Sequence, residues 1–169
     1  MMFFVACHHT DNNTQLLSYN GKYPDESTDS MELVVSDSGL VSFVITTPLF
    51  NSYHGDSSYT ECPKGVTAVS YTEWGDPQAK LSAQYACNIN NTTYRASNNV
   101  IIIDLLKHDT LETEEIIWDQ RKRIIYSKVL VKQKKADGSV NYGDGFEADE
   151  RFSKYTITHP RGEMYAVDF

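Results

Sequence analysis

Little in these 169 residues points to a membrane helix, a metal centre or a nucleic-acid surface. No apolar run approaches the ~20 residues a bilayer-spanning helix needs. The three cysteines, Cys7, Cys62 and Cys87, make no C-x-x-C pair. The histidines are scattered, and His8-His9 beside Cys7 sit in a polar segment with no further ligand spacing, so no metal is expected. Glycine-rich phosphate loops and the G-x-S-x-G elbow are both missing, so neither a cofactor nor a catalytic residue is expected. Fifteen basic residues against 23 acidic ones give a net charge of −8. That balance offers no basic face to neutralise phosphates, and nucleic acid is set aside as a partner. No window repeats apolar residues at a helical period of 3.6.

What is present suits strands. Eleven tyrosines, seven phenylalanines and two tryptophans stand against four methionines. From Met31 onward, apolar and polar residues alternate in short runs closed by turn residues. Val41, Phe43 and Ile45 alternate with Ser42 and Thr46 after an Asp37-Ser38-Gly39 turn. Leu81, Ala83 and Tyr85 follow the turn at Gly75-Asp76-Pro77. Ile101 and Ile103 are placed on one side of their strand, with Ile102 and Asp104 on the other. Val129 and Val131 alternate with Lys128 and Lys132, before the Asp137-Gly138 turn dipeptide. Units reading strand, polar turn, strand recur about every 30 residues, the spacing of stacked supersecondary units. The fold expected is all-β, a pile of antiparallel hairpins with the charged turns at its edges, where they discourage stray strand pairing.

The chain divides into three. Residues 1–7 end in Phe-Phe-Val-Ala-Cys and look like the tail of a bacterial lipoprotein signal, in which Cys7 becomes the lipidated residue. A full apolar leader needs about 7–15 residues and only six precede Cys7, so either the gene start lies upstream or the match is chance. Residues 8–30 are polar and aperiodic, as a flexible tether would be. Residues 31–169 form the β domain.

The ordered set of motifs from Glu32 to Gly162 resembles the LptC family of lipopolysaccharide transport proteins, in the version found in Bacteroides-like bacteria. The residues carrying the resemblance are Glu115-Ile-Ile-Trp-Asp-Gln120 with Ile125-Tyr-Ser127, then Gly143-Asp-Gly-Phe-Glu-Ala-Asp149, then Tyr155-x-Ile157. Ser36-Asp-Ser-Gly39, Thr46-Thr-Pro-Leu-Phe50 and Pro63-Lys-Gly65 add to it. The resemblance implies an open β-jellyroll with a V-shaped apolar trough that holds lipopolysaccharide acyl chains. It further implies a periplasmic protein anchored to the inner membrane. Such a protein would receive lipid from the inner-membrane ABC transporter of the export system and pass it to a homologous periplasmic jellyroll by edge-strand pairing.

The trough residues expected are Val41, Phe43, Ile45, Leu81, Ala83, Tyr85, Ile101, Ile103, Ile117, Ile125, Val129, Val131, Phe146, Tyr155 and Ile157. The same residues could instead fill a closed sandwich core. Which strand face points inward is decided by assuming that Lys128, Lys132 and Asp104 stay outside. Trp118 is read as packing and Asp119 as the start of a turn. Whether Cys62 and Cys87 pair is left open. Two other readings remain: an all-β surface lipoprotein binding a carbohydrate or protein partner, and a hydrolase using carboxylates among Asp119, Glu147, Asp149 and Glu150.

Overall fold

The computed structural model describes residues 23–55 and 58–163. Cys7 and most of the expected tether lie outside the described residues. Among those described there is no helix. The strands are β1 (Glu26–Asp37), β2 (Leu40–Tyr53), β3 (Tyr59–Cys62), β4 (Val66–Tyr71), β5 (Pro77–Ala83), β6 (Tyr85–Asn90) and β7 (Thr93–Asp104). They continue with β8 (Thr110–Asp119), β9 (Ile124–Ser127), β10 (Val131–Lys134), β11 (Val140–Gly143), β12 (Gly145–Asp149), β13 (Tyr155–Thr158) and β14 (Arg161–Glu163). All pair antiparallel. The fold is an all-β, jellyroll-like roll.

The pairing reduces to a simple plan. The long strands β2, β7 and β8 each change partners midway, while β1 follows β2 along its whole length. The first half of β2 pairs with β4 and its second half with β3. The first half of β7 pairs with β6 and its second half with β5. The short strands β3/β4, β5/β6, β9/β10, β11/β12 and β13/β14 are likewise two halves of one bent course. The molecule is therefore a pile of bent ribbons in chain order, with each ribbon contributing one half to each of two leaves. The first leaf holds β4, β5, β10, β11 and β14, and the second holds β3, β6, β9, β12 and β13.

The bends have local causes. In β1 the backbone turns at Ser30, whose φ is 55°, and Ser30 alone of its neighbours lacks a partner in β2. In β2, Thr47 Oγ1 donates to the Leu49 carbonyl across Pro48, which has no N–H to offer the ladder. In β7, Asn98 and Asn99 both take positive φ, 65° and 54°, at the register shift between Ser97 and Val100. Asparagine tolerates that conformation better than most residues. Between β11 and β12, the Gly143-Asp144-Gly145 corner needs its glycines. A Cβ on Gly145 would lie 2.3 Å from the Ser127 carbonyl oxygen, and one on Gly143 would lie 2.2 Å from a methyl of Ile157.

β1 begins at Glu26, five residues before the expected domain start. Residues 26–29 read as tether from their polarity, but their backbone pairs with Leu49–Ser52 of β2, and a solvated edge strand needs no apolar pattern.

Candidate functional site

The interior differs from one end of the pile to the other. In the first leaf, Leu33, Ile45, Ala68, Leu81, Ile102 and Leu111 form one inward cross-strand row. In the second leaf, Cys62, Ala86, Ala96 and Ile116 form the facing row. Ala68 and Ala79 on one side and Ala86 and Ala96 on the other are too short to meet. A hollow of about 240 Å³ remains, walled by these alanines and by Leu33, Ile45, Cys62, Leu81, Ile102 and Ile116, together with Met31, Val35, Phe43, Tyr94, Trp118, Ile125 and Phe152. Leu33 lines it while keeping 48% of its own surface exposed, so the hollow opens to solvent along β1. Trp118 spans the gap between leaves, 5.5 Å from both the Phe43 and the Tyr94 ring centres. Its indole N–H is buried and meets no acceptor.

Toward β10–β13 the leaves close on each other. Val131, Phe146 and Leu111 are almost wholly buried, Phe146 meets Phe152 edge-on, and Phe152 stacks on Tyr155 at 5.2 Å. Polar groups seal that end. Gln133 donates to Asp109 (3.1 Å) and Tyr155 (2.6 Å), Tyr155 donates to Asp109 (2.8 Å), and Asn141 donates to Gln133 (2.9 Å).

Of the fifteen residues expected in the trough, Phe43, Ile45, Leu81 and Ile125 line the hollow. Val131, Phe146, Tyr155 and Ile157 belong to the packed end, and Ala83 to the core near the bend. Tyr85 is on the outer face of the second leaf, its hydroxyl bonded to Glu61 (2.9 Å). Val41 and Val129 are exposed beside a turn and a bend. Ile101, Ile103 and Ile117 point outward, and their neighbours Ile102 and Ile116 point inward.

The reversal in β7 has a definite physical source. Asp104 was expected outside because it is charged, yet only 3% of it is exposed. Its carboxylate accepts the N–H groups of Leu106 (3.0 Å) and Lys107 (2.9 Å) and pairs with the Lys107 ammonium at 3.2 Å. A strand-end aspartate that caps its own turn is satisfied while buried, so it cannot mark the wet face. In β8–β9, the turn closes on Asp119↔Ile124, which sets Ile125 opposite Trp118 and Ile117 opposite Tyr126. Ile117 and Ile125 therefore cannot share a face. The turn itself is as expected, with Asp119 accepting from Lys122 N (3.1 Å). That backbone bond holds the Asp119 carboxyl below its usual range. The buried positions of β8, Leu111, Thr113 and Ile116, change spacing from two to three, which simple alternation does not foresee.

The strand β1, Trp118 and Phe152 are wall residues the alternation pattern did not reveal. Pairing sums across the Asp119–Ile124 turn would have placed Trp118. Nothing in the sequence signals the outer-face cluster around Glu61. This carboxylate, 5% exposed, accepts from Tyr53 (2.8 Å), Asn51 (3.3 Å) and Tyr85. Burial pushes the Tyr59 and Tyr85 hydroxyls well above the usual tyrosine range, and the hydrogen bonding between them couples the pair.

Cys62 and Cys87 are free thiols. Cys62 pairs across with Ala86 and Cys87 with Glu61, so their side chains leave the sheet on opposite faces. Among the carboxylates considered for hydrolysis, Asp149 caps a turn through Arg151 N, Ser153 N and Lys154 N, and Glu150 holds Arg123 at 2.6 Å. No group of His, Cys, Asp and Glu suited to a metal ion occurs among the described residues.

Fold and site together define an antiparallel β-roll with an apolar hollow at one end and a sealed core at the other. No protein-family model and no curated protein matches this chain.

Proposed function

We propose that the hollow binds the acyl chains of lipopolysaccharide, and that the protein relays them in the periplasm from an inner-membrane ABC transporter to a homologous bridge protein. The observation that carries this reading is an apolar hollow whose mouth runs along an edge strand. Each methylene withdrawn from water is worth about 0.8 kcal/mol, so such a hollow lets a fatty chain leave a bilayer without chemistry. The wall is mostly Ile, Leu, Phe and Ala side chains, with Arg95, Gln120 and Glu150 also on the lining. Two buried donors without an acceptor, the Trp118 indole N–H and Arg95 Nε, are free for an acceptor on the lipid. Along the free edge, β1 offers twelve residues of backbone paired on one side only among the described residues. A strand from the next jellyroll would fit there by β-addition, and Glu26, Asp29, Glu32 and Asp37 would limit indiscriminate pairing. Anchoring to the inner membrane through a lipidated Cys7 belongs to the same proposal.

The test uses neighbouring residues of opposite facing. Photo-crosslinkers at Ile102 and Ile116 are expected to capture lipopolysaccharide in cells, and crosslinkers at Ile103 and Ile117 are not. Equal capture from both sets, or capture from neither, would overturn the reading.

A further inference from the structure

The turns of the roll alternate between the outer rims of the two leaves. On the first-leaf rim lie the β1–β2, β4–β5, β7–β8 and β10–β11 turns, in that order. Turns are normally polar. Three of these four present a large apolar side chain to solvent: Leu40 (51% exposed), Trp74 (88%) and Leu106 (60%). Successive hairpins are two strands wide, so the three side chains stand about 10 Å apart in a row about 20 Å long. The rim of the second leaf differs. Its turns, around Gly55, Asn91, Gln120 and Arg151, are polar, and among the described residues Ile89 is the large exposed apolar side chain near them.

We propose that the first-leaf rim is a membrane-docking edge, which seats Leu40, Trp74 and Leu106 in the interfacial layer of a zwitterionic bilayer. The shape favours a bilayer over a protein. Three separated, convex tips, the largest burying about 250 Å² at most, fall short of the ~800 Å² per partner that a stable protein interface uses. Shallow insertion of a few apolar side chains is what an interface of headgroups and acyl chains accepts, and tryptophan is the residue most at home there. The charges define which bilayer. Asp37 is tied to Arg123 at 3.6 Å and Lys107 to Asp104 at 3.2 Å, and Lys135 and Asp137 offset each other in the fourth turn, which leaves Glu73 and Asp76 flanking Trp74. An anionic surface would be repelled and a neutral one would not.

This inference does not rest on the cargo reading. A roll that carries no lipid could dock this way, and crosslinking inside the hollow reports on the other question. The experiment is binding of the full chain to phosphatidylcholine vesicles, followed by co-sedimentation and by tryptophan emission. Trp118→Phe leaves Trp74 as the sole emitter, since the chain has two tryptophans. With vesicles, the Trp74 emission is expected to shift to the blue and to be quenched by lipids brominated near the headgroup. The double variant Trp74→Ala, Leu106→Ala is expected to lower partitioning by about tenfold or more. Leu130→Ala, an exposed leucine at a bend away from the rim, is expected to leave it unchanged. Co-sedimentation of the double variant against the parent chain decides the matter even where Trp118→Phe does not fold. The proposal is overturned by unchanged sedimentation of the double variant, or by binding confined to vesicles containing phosphatidylglycerol. A blue shift that needs no vesicles and grows with protein concentration, which signals a second copy, would overturn it too.

Discussion

The two ends of this roll are built on one backbone plan and differ in what their inward residues weigh. Around β1–β7, alanines face alanines: Ala68 and Ala79 look across at Ala86 and Ala96, and a hollow remains. Around β8–β13, Phe146, Phe152, Val131 and Leu111 fill the same inter-leaf space, and Gln133, Asp109 and Tyr155 close it. Bent ribbons do not by themselves make a cavity; the volume of side chains on two facing rows does. A protein of this plan can be hollow or solid along its length, according to where it places alanine and where phenylalanine.

The largest expected effect belongs to the solid end. Phe146→Ala should cost about 3–5 kcal/mol in denaturant unfolding, because closely packed neighbours cannot collapse into the space. A value near that of Phe43→Ala, which already borders empty space, would dissolve the contrast between the two ends. Next comes the reverse substitution. Ala148→Leu, at a position 3% exposed in the solid core, should overpack and cost about 1–3 kcal/mol. Ala96→Leu, on the hollow's wall, should cost less than about 1 kcal/mol or stabilise, since the added carbons enter existing space. Equal penalties would mean that the hollow is not there to be filled. The same Ala96→Leu change should abolish lipopolysaccharide capture at Ile102 while the fold persists, which joins the stability comparison to the functional one.

The smallest effect is one of pH and touches both ends. Burial raises Tyr59 and Tyr85 beside the hollow, and Tyr155 at the sealed end, above the ordinary tyrosine value of 10.0. An acid whose folded value is raised contributes stability that is whole below its unfolded value and lost as pH climbs past it. Stability should therefore hold up to about pH 10 and decline above it. The tyrosinate absorbance of these groups should rise together with loss of near-ultraviolet circular dichroism. Ionisation of the other eight of the eleven tyrosines is compatible with a folded chain; ionisation of all eleven in a chain that keeps its near-ultraviolet circular dichroism would contradict the part-burial of these three.

Much of the plan was legible in the residues. Alternation, turn dipeptides and the recurring lap of about 30 residues led to antiparallel ribbons, and ribbons are what formed, down to the Asp37–Gly39 and Asp137–Gly138 turns. The wall of the hollow was legible only in part. Phe43, Ile45, Leu81 and Ile125 follow from alternation counted outward from a nearby turn. Ile101, Ile103 and Ile117 failed because each bend in β2, β7 and β8 resets or hides the parity. One buried, turn-capping aspartate also inverted the assignment of inside and outside in β7. Triple-isoleucine and double-isoleucine runs, such as Ile101–Ile103 and Ile116-Ile117, carry no polarity of their own to correct the error.

By itself the sequence determined the strand content, the order of the ribbons and the turns between them, since these depend on neighbours within a few residues. Only the tertiary structure decided which isoleucine of a run faces inward, where alanine meets alanine across the leaves, and that three turns far apart in the chain share one rim. Those outcomes depend on registers and bends accumulated over the whole pile, and no local pattern records such a sum.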